Sequence, residues 1–160
     1  MRGALALMLV ISGAACRQPD GRIPSPVRDQ ANEITDVARD MINVVNKDPQ
    51  APEDLRSDLS KYGGSEDAVA KANELARAVS DALPGSRLED EAANQLARSL
   101  WVGLTATELS SRQVETLKRD VKATLASAGV EEARAQPVAD KLGEVQSVVT
   151  KNPKRWYQLF

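Results

Sequence analysis

The chain has 160 residues and a formal net charge of −2, and it contains one cysteine and no histidine. Because the charge is nearly balanced, the sequence offers no strong field for nucleic acid, and we expect no such partner. The absence of histidine removes the most common general base and transition-metal ligand, so no cofactor or metal is expected. Hydrophobic residues make up 42% and aromatic residues 3%, a composition that favours an all-α bundle.

The first residues have the order of an export signal. Arg2 precedes a short apolar run over 4–11, and small residues follow it up to Cys16. The run is too short to span a bilayer, which takes roughly 20 apolar residues. We therefore predict that residues 1–15 are a signal peptide.

The sequence GAAC at 13–16 resembles the lipobox of bacterial lipoproteins, a resemblance that covers the signal alone. It implies that Cys16 is lipidated and becomes the mature N-terminus. A lone exported cysteine cannot form an internal disulfide, which agrees with that role. Gly13 stands where these proteins usually carry Leu, so ordinary signal-peptidase cleavage after 12–14, which would leave a soluble periplasmic protein, stays open. If the retention rule of enteric bacteria applies, Arg17 implies an outer-membrane lipoprotein facing the periplasm.

Residues 17–24 contain Pro and Gly without periodicity and are typical of a flexible tether. The predicted organisation is therefore a signal peptide over 1–15, a lipidated Cys16 with its tether over 16–24, and a helical domain over 25–160. A tether this short would keep the domain close to the membrane.

Start and stop signals divide the first half of the domain into three helices. Ser25 with Pro26 predicts the start of the first helix, and Asp48-Pro49 predicts its end. A shorter second helix follows from about residue 50 to the glycines at 63–64. The third helix begins after Ser65 and stops at 84–85, where Pro precedes Gly. Apolar residues recur at helical spacing in each of them.

Start and stop signals also divide the second half of the domain into helices. Ser86 with Glu89 and Ser110 with Gln113 match the capping box, which predicts the starts of a fourth and a fifth helix. The segment 103–109 is ambiguous between a break and a continuation. A last helical region covers roughly 131–151, where proline 137 either kinks the helix or starts a fresh one. The sequence predicts a single-domain bundle of five or six amphipathic helices.

Two pairs of aspartates are candidates for chemistry. Asp36 and Asp40 lie four residues apart on the first helix, and Asp54 and Asp58 have the same spacing on the second. Such pairs can perform acid–base work or bind a hard cation. Acidic residues on a helix surface are usually solvated, and that is what we expect here.

The C-terminal residues combine positive charge with three of the five aromatic residues of the chain. This candidate interaction tail consists of Lys154, Arg155, Trp156, Tyr157 and Phe160. We favour the interpretation that its aromatic rings pack on the bundle, against Trp101 or Tyr62. The alternative is a surface element that contacts lipid headgroups or a partner.

The sequence carries no signature of a catalytic site. It lacks a nucleophile elbow, a phosphate-binding loop and a dinucleotide fingerprint. We expect a non-enzymatic structural or interaction module of the cell envelope, with the membrane as one partner through its lipid and an envelope protein as another. The alternative is a helical pocket protein that carries an apolar ligand or acts as a periplasmic chaperone.

Overall fold

The computed structural model describes residues 25–151, with side chains from 29 to 150. Its regular elements are all helices, which confirms the predicted all-α bundle. The six helices are α1 (Ser25–Val45), α2 (Ala51–Ser60), α3 (Glu66–Ala82), α4 (Asp90–Thr105), α5 (Ser111–Ser127) and α6 (Glu132–Lys151). Within this part of the chain no helix is long and apolar enough to cross a membrane.

The helices enclose one continuous hydrophobic core. Helix α6 packs against α3, α4 and α5, while α1 packs against α2 and α4 and α2 also contacts α3. The largest fully buried apolar side chains are Met41, Leu55, Leu59, Leu75, Leu83, Leu96, Leu100, Leu104, Leu125 and Leu142. All of them lie on the predicted apolar stripes, so each helix buries the face that its periodicity indicates.

Two predicted helix starts are confirmed by their capping contacts. The Ser65 hydroxyl accepts a hydrogen bond from the Ala68 amide at 3.2 Å, at the start of α3. Ser110 and Gln113 form the reciprocal capping box at the start of α5, which ends the ambiguity over 103–109 in favour of a break. Beyond the end of α5, Gly129 adopts φ +80°, a left-handed conformation that glycine reaches without steric penalty.

The capping box predicted at Ser86 is wrong. Helix α4 begins at Asp90, its N-cap is Glu89, and no side chain caps it. The preceding residues instead join the end of α3 to the end of α5, because the Arg87 amide donates to the Ala128 carbonyl at 2.7 Å. Leu88 is buried at 6% exposure, so a tertiary contact and hydrophobic burial replace the local cap.

Pro137 lies inside α6, which runs without interruption from Glu132 to Lys151. A proline within a helix leaves the carbonyl four residues earlier without its backbone donor. Here that residue is Ala133, and both Ala133 and Pro137 are exposed. Water can therefore bind the freed carbonyl, which explains why the helix tolerates the proline.

Helices α4 and α6 approach each other closely at Gly103. A methyl group added there would clash with the side chain of Leu142, which would have to shift to make room for it. Next to this contact the buried Gln146 amide donates to the carbonyls of Gly103 at 3.2 Å and Ala106 at 2.7 Å. Gln146 thereby binds carbonyls at the end of α4 that have no partner within the helix.

Candidate functional site at the α1–α2 contact

The apolar stripe of α1 contains one carboxylic acid. Val37, Asp40 and Val44 follow one another at helical spacing, and all three are buried, with Asp40 at 6% exposure. Because hydrophobic packing fixes the rotation of α1, the Asp40 side chain is carried into the contact with α2. Burial of an acid in this way is unfavourable unless it is paired or neutral.

The group facing Asp40 is a second acid, from α2. Asp58 lies between the buried Leu55 and Leu59 in the sequence, and its side chain is 19% exposed. Asp58 lies close enough to Asp40 for its negative charge to raise the pKa of the buried acid. Two carboxylates at this contact repel each other, which favours a proton on Asp40. We call Asp40 and Asp58 the carboxyl pair.

The surroundings of Asp40 favour its neutral form. Burial raises its pKa from the ordinary 3.8 to about 7, and the negative charge of Asp58 acts in the same direction. Asp54 adds a smaller repulsion, and the positive charge of Arg39 acts in the opposite direction. At neutral pH Asp40 therefore lies close to the midpoint of its titration.

The nearest cations are already engaged by other acids. Arg39 donates to Asp36 on the exposed side of α1. Lys61, just beyond α2, donates to Asp58, and that hydrogen bond raises the pKa of the lysine. Among the described side chains Asp40 has no ion pair, and its Oδ2 is buried without a hydrogen-bond partner. Negative charge at Asp40 is thus left uncompensated.

Tyr62 lies at the same contact between α1 and α2, close to a further acid, Glu33. It is half-buried and lies near Glu33 of α1. Burial raises the pKa of the Tyr62 hydroxyl well above its ordinary value, and the charges of Glu33 and Asp58 raise it further. The hydroxyl therefore keeps its proton at physiological pH.

The chemistry available to this arrangement is the gain and loss of a proton. Oδ2 of Asp40 has almost no contact with solvent, which argues against direct attack on a substrate. Within residues 25–151 no three acidic or cysteine side chains are placed to hold a metal ion. The carboxyl pair can bind one proton, which neutralises a charge that no salt bridge compensates.

The expectation that the four aspartates are all solvated is therefore wrong for Asp40. Asp54 is exposed, and Asp36 is 45% exposed and paired with Arg39, as surface acids usually are. Asp40 differs because it stands three residues after Val37 and four before Val44, on the apolar face. Its spacing in the sequence already carried this signal.

A surface groove lies between the end of α4 and the first half of α5. Its volume is about 310 Å³, and its apolar lining comes from Val102, Leu109 and Leu117. Arg112, Gln113, Thr116 and Asp120 complete its walls. The groove is separate from the carboxyl pair, since no residue of α1 or α2 lines it.

The predicted lipidation site, Cys16, and the candidate interaction tail over 154–160 lie outside the described residues. Of the two aromatic residues predicted as contacts for the tail, Tyr62 is half-buried beside Glu33. Trp101 is partly buried, and its Nε1 has no hydrogen-bond partner. Sequence reasoning named Asp40 and Asp58 in two separate pairs but did not predict that they face each other, and it missed the α4–α5 groove.

Comparisons with protein-family models, with curated proteins and with solved structures find no match for this chain. Its function must therefore be inferred from its own residues and their arrangement.

Proposed function

We propose that this protein is held at a bacterial cell envelope by lipid on Cys16, and that its helical bundle acts there by binding another envelope component rather than by catalysis. The observation that carries the proposal is the signal-like sequence ending at Cys16, followed closely by a folded helical bundle. The lipobox resemblance of residues 13–16 supports the anchor.

The length of the tether supports a position next to the membrane. Eight residues, 17–24, separate Cys16 from the first residue of α1. A chain of that length reaches at most about 30 Å when fully extended. A lipid on Cys16 would therefore keep the bundle within about one protein diameter of the bilayer surface.

The described residues favour binding over catalysis. The sequence contains no histidine, and the acid with the most perturbed surroundings, Asp40, is shielded from solvent. The outer faces of the helices carry many charged residues, such as Arg77, Arg98 and Arg119, which are exposed. A charged, rigid helical surface suits recognition of a protein partner.

The anchor is tested by intact mass spectrometry of the mature protein extracted from membranes. We expect an N-terminal Cys16 that carries a diacylglyceryl group. The Cys16→Ser variant, the matched control, should lose that mass and leave the membrane fraction. An unmodified mature N-terminus at another residue would contradict the anchor.

The binding role is tested by photocrosslinking in intact cells. A photoreactive amino acid is placed at Arg77, Arg98 or Arg119, on three different helices. We expect a discrete adduct from at least one helix, and its loss in the Cys16→Ser background. Absence of adducts from all three positions, with the protein correctly located, would count against a binding module.

The α4–α5 groove favours a second function, carriage of a small apolar ligand. Its volume of about 310 Å³ and its lining by Val102, Leu109 and Leu117 would accommodate a small apolar molecule. Native mass spectrometry after mild extraction should then show an added mass, which the Leu117→Asp variant should abolish. An empty protein would argue against this function.

A further inference from the structure

The carboxyl pair is the one place in the described residues where a buried ionisable group lacks a compensating charge. Asp40 is 6% exposed, its Oδ2 has no partner, and the facing group, Asp58, is itself acidic. Buried charge without compensation is strongly unfavourable, so the contact between α1 and α2 requires a neutral acid.

We propose that the contact between α1 and α2 is a proton-dependent latch, closed while Asp40 holds a proton beside Asp58 and loosened when that proton is released to solvent. With the proton bound, the buried acid is neutral. Without it, two carboxylates face each other in a largely dehydrated contact and repel. This inference concerns residues 25–62 and does not depend on the lipid anchor.

The charged groups around Asp40 leave the proton as the main source of compensation. Its own helix contributes Asp36 and Arg39, which pair with each other. Helix α2 contributes two acids, Asp54 and Asp58, and Lys61 just beyond it is an ion-pair partner of Asp58. The charged groups that act most strongly on Asp40 all belong to α1 and α2.

Helix α2 is the shortest of the six described helices. It has ten residues, a length at which an isolated helix is only marginally stable in water. It buries only Ala51, Leu55 and Leu59. The turn that leads into it places Lys47 at φ +63°, a conformation unfavourable for a residue with a side chain. Loss of the proton from Asp40 would therefore loosen α2 before it affects the rest of the bundle.

The consequence is that acidity controls how firmly α2 is held against the bundle. The pKa of Asp40, about 7, places the change between mildly acidic and mildly alkaline conditions. A surface formed by α1 and α2 would then be ordered at low pH and looser at high pH. The latch would make any interaction through this surface depend on the pH around the protein.

The test is amide hydrogen exchange of the full-length protein in mild detergent at pH 5 and pH 8, corrected for the intrinsic exchange rate. We expect the amides of α2 to open roughly tenfold or more often at pH 8, since each pKa unit corresponds to a factor of ten. The amides of α5 and α6 provide an internal reference and should change much less. Equal protection of α2 at both pH values would overturn the proposal, as would an equal change in all helices.

Matched variants assign the effect to the carboxyl pair. Asp40→Asn removes the buried acid, so α2 should lose its pH dependence in this variant. Asp58→Asn removes only the facing charge and should weaken the pH dependence, because burial still raises the pKa of Asp40. Asp36→Asn, one turn away on the same helix and exposed to solvent, should retain it. If both Asp40→Asn and Asp58→Asn keep the wild-type pH dependence, or if Asp36→Asn abolishes it, the latch is not formed by this pair.

Discussion

Two helix contacts in this protein bury polar side chains, and they do so in opposite ways. Between α4 and α6, Gln146 is 1% exposed, donates to two carbonyls at the end of α4, and accepts from the Thr150 hydroxyl at 2.5 Å. Between α1 and α2, Asp40 is 6% exposed and leaves one oxygen without a partner. The polar atoms of Gln146 have hydrogen-bond partners, whereas one oxygen of Asp40 has none.

The comparison shows why a buried amide and a buried acid have different consequences. An amide keeps its hydrogen bonds at every pH, so Gln146 fixes the register of α4 against α6 permanently. A buried carboxyl is tolerated only in its neutral form, so the contact made by Asp40 depends on the proton concentration. The first arrangement provides rigidity, and the second provides a response.

The largest predicted effect is that Asp40 makes the stability of the protein depend on pH. The pKa of Asp40 is raised to about 7 in the folded protein from an ordinary 3.8, so the folded state holds the proton more tightly than the unfolded state. The free energy of unfolding should therefore fall as pH rises from about 4 to above 7, by up to about 4 kcal/mol. Urea denaturation across this range measures it.

The control for that experiment is Asp40→Asn, which should flatten the decline. A separate loss is expected at the acidic end, because hydrogen bonds from Lys141 and Lys71 lower the pKa values of Glu74 and Glu144. These pairs lose their contribution when the glutamates become protonated. Stability that stays constant from pH 4 to pH 8 would contradict the account of Asp40.

The satisfied contact should be broken by Gln146→Leu. The substitution leaves the carbonyls of Gly103 and Ala106 without their donor, and we expect a loss of about 3 kcal/mol at every pH. Thermal unfolding of Gln95→Leu, an exposed glutamine on α4, is the matched control and should change little. A loss confined to one end of the pH range would undermine the distinction between the two contacts.

The close approach of α4 and α6 should be sensitive to a single methyl group. Gly103→Ala makes the new Cβ clash with the buried Leu142 side chain, which we expect to destabilise the protein by about 2 kcal/mol. The matched control is Gly143→Ala in α6, where the nearest atom is Cδ of Lys118 at an ordinary 3.5 Å. That variant should be stabilised by about 0.5–1 kcal/mol, because alanine favours helix. Equal effects of the two substitutions would contradict the tight contact.

The smallest predicted effect concerns the turn before α2. Lys47→Gly relieves the unfavourable φ of +63°, although the flexible unfolded chain offsets part of the gain. We expect a stabilisation of about 0.5–1 kcal/mol, measured by thermal unfolding. Lys61→Gly, outside this turn, should give no such gain, since Lys61 has an ordinary helical φ of −57°.

Most of the fold could be predicted from the sequence because local signals and packing agree. The apolar stripes of α3, α4 and α6 are buried as predicted, and the caps at Ser65 and Ser110 begin their helices. The prediction of a cap at Ser86 was wrong because the backbone amide of Arg87 donates to the carbonyl of Ala128, far away in the sequence. Such a contact between distant parts of the chain leaves no mark in the local pattern.

Only part of the candidate site could be predicted from the sequence. The place of Asp40 on the apolar face of α1 follows from its spacing to Val37 and Val44. That its neighbour would be Asp58, rather than a basic residue, depends on how α2 packs across α1 and is not set by either helix alone. The role of Gln146 is equally tertiary, because its partners are about 40 residues earlier in the chain.

The central claim, that Asp40 holds a proton near neutral pH beside Asp58, is tested most directly by NMR titration of the Asp40 side-chain carboxyl carbon. The account predicts that Asp40 releases its proton with an apparent pKa near 7. Ionisation of Asp40 near pH 4, as for an ordinary aspartate, would contradict it.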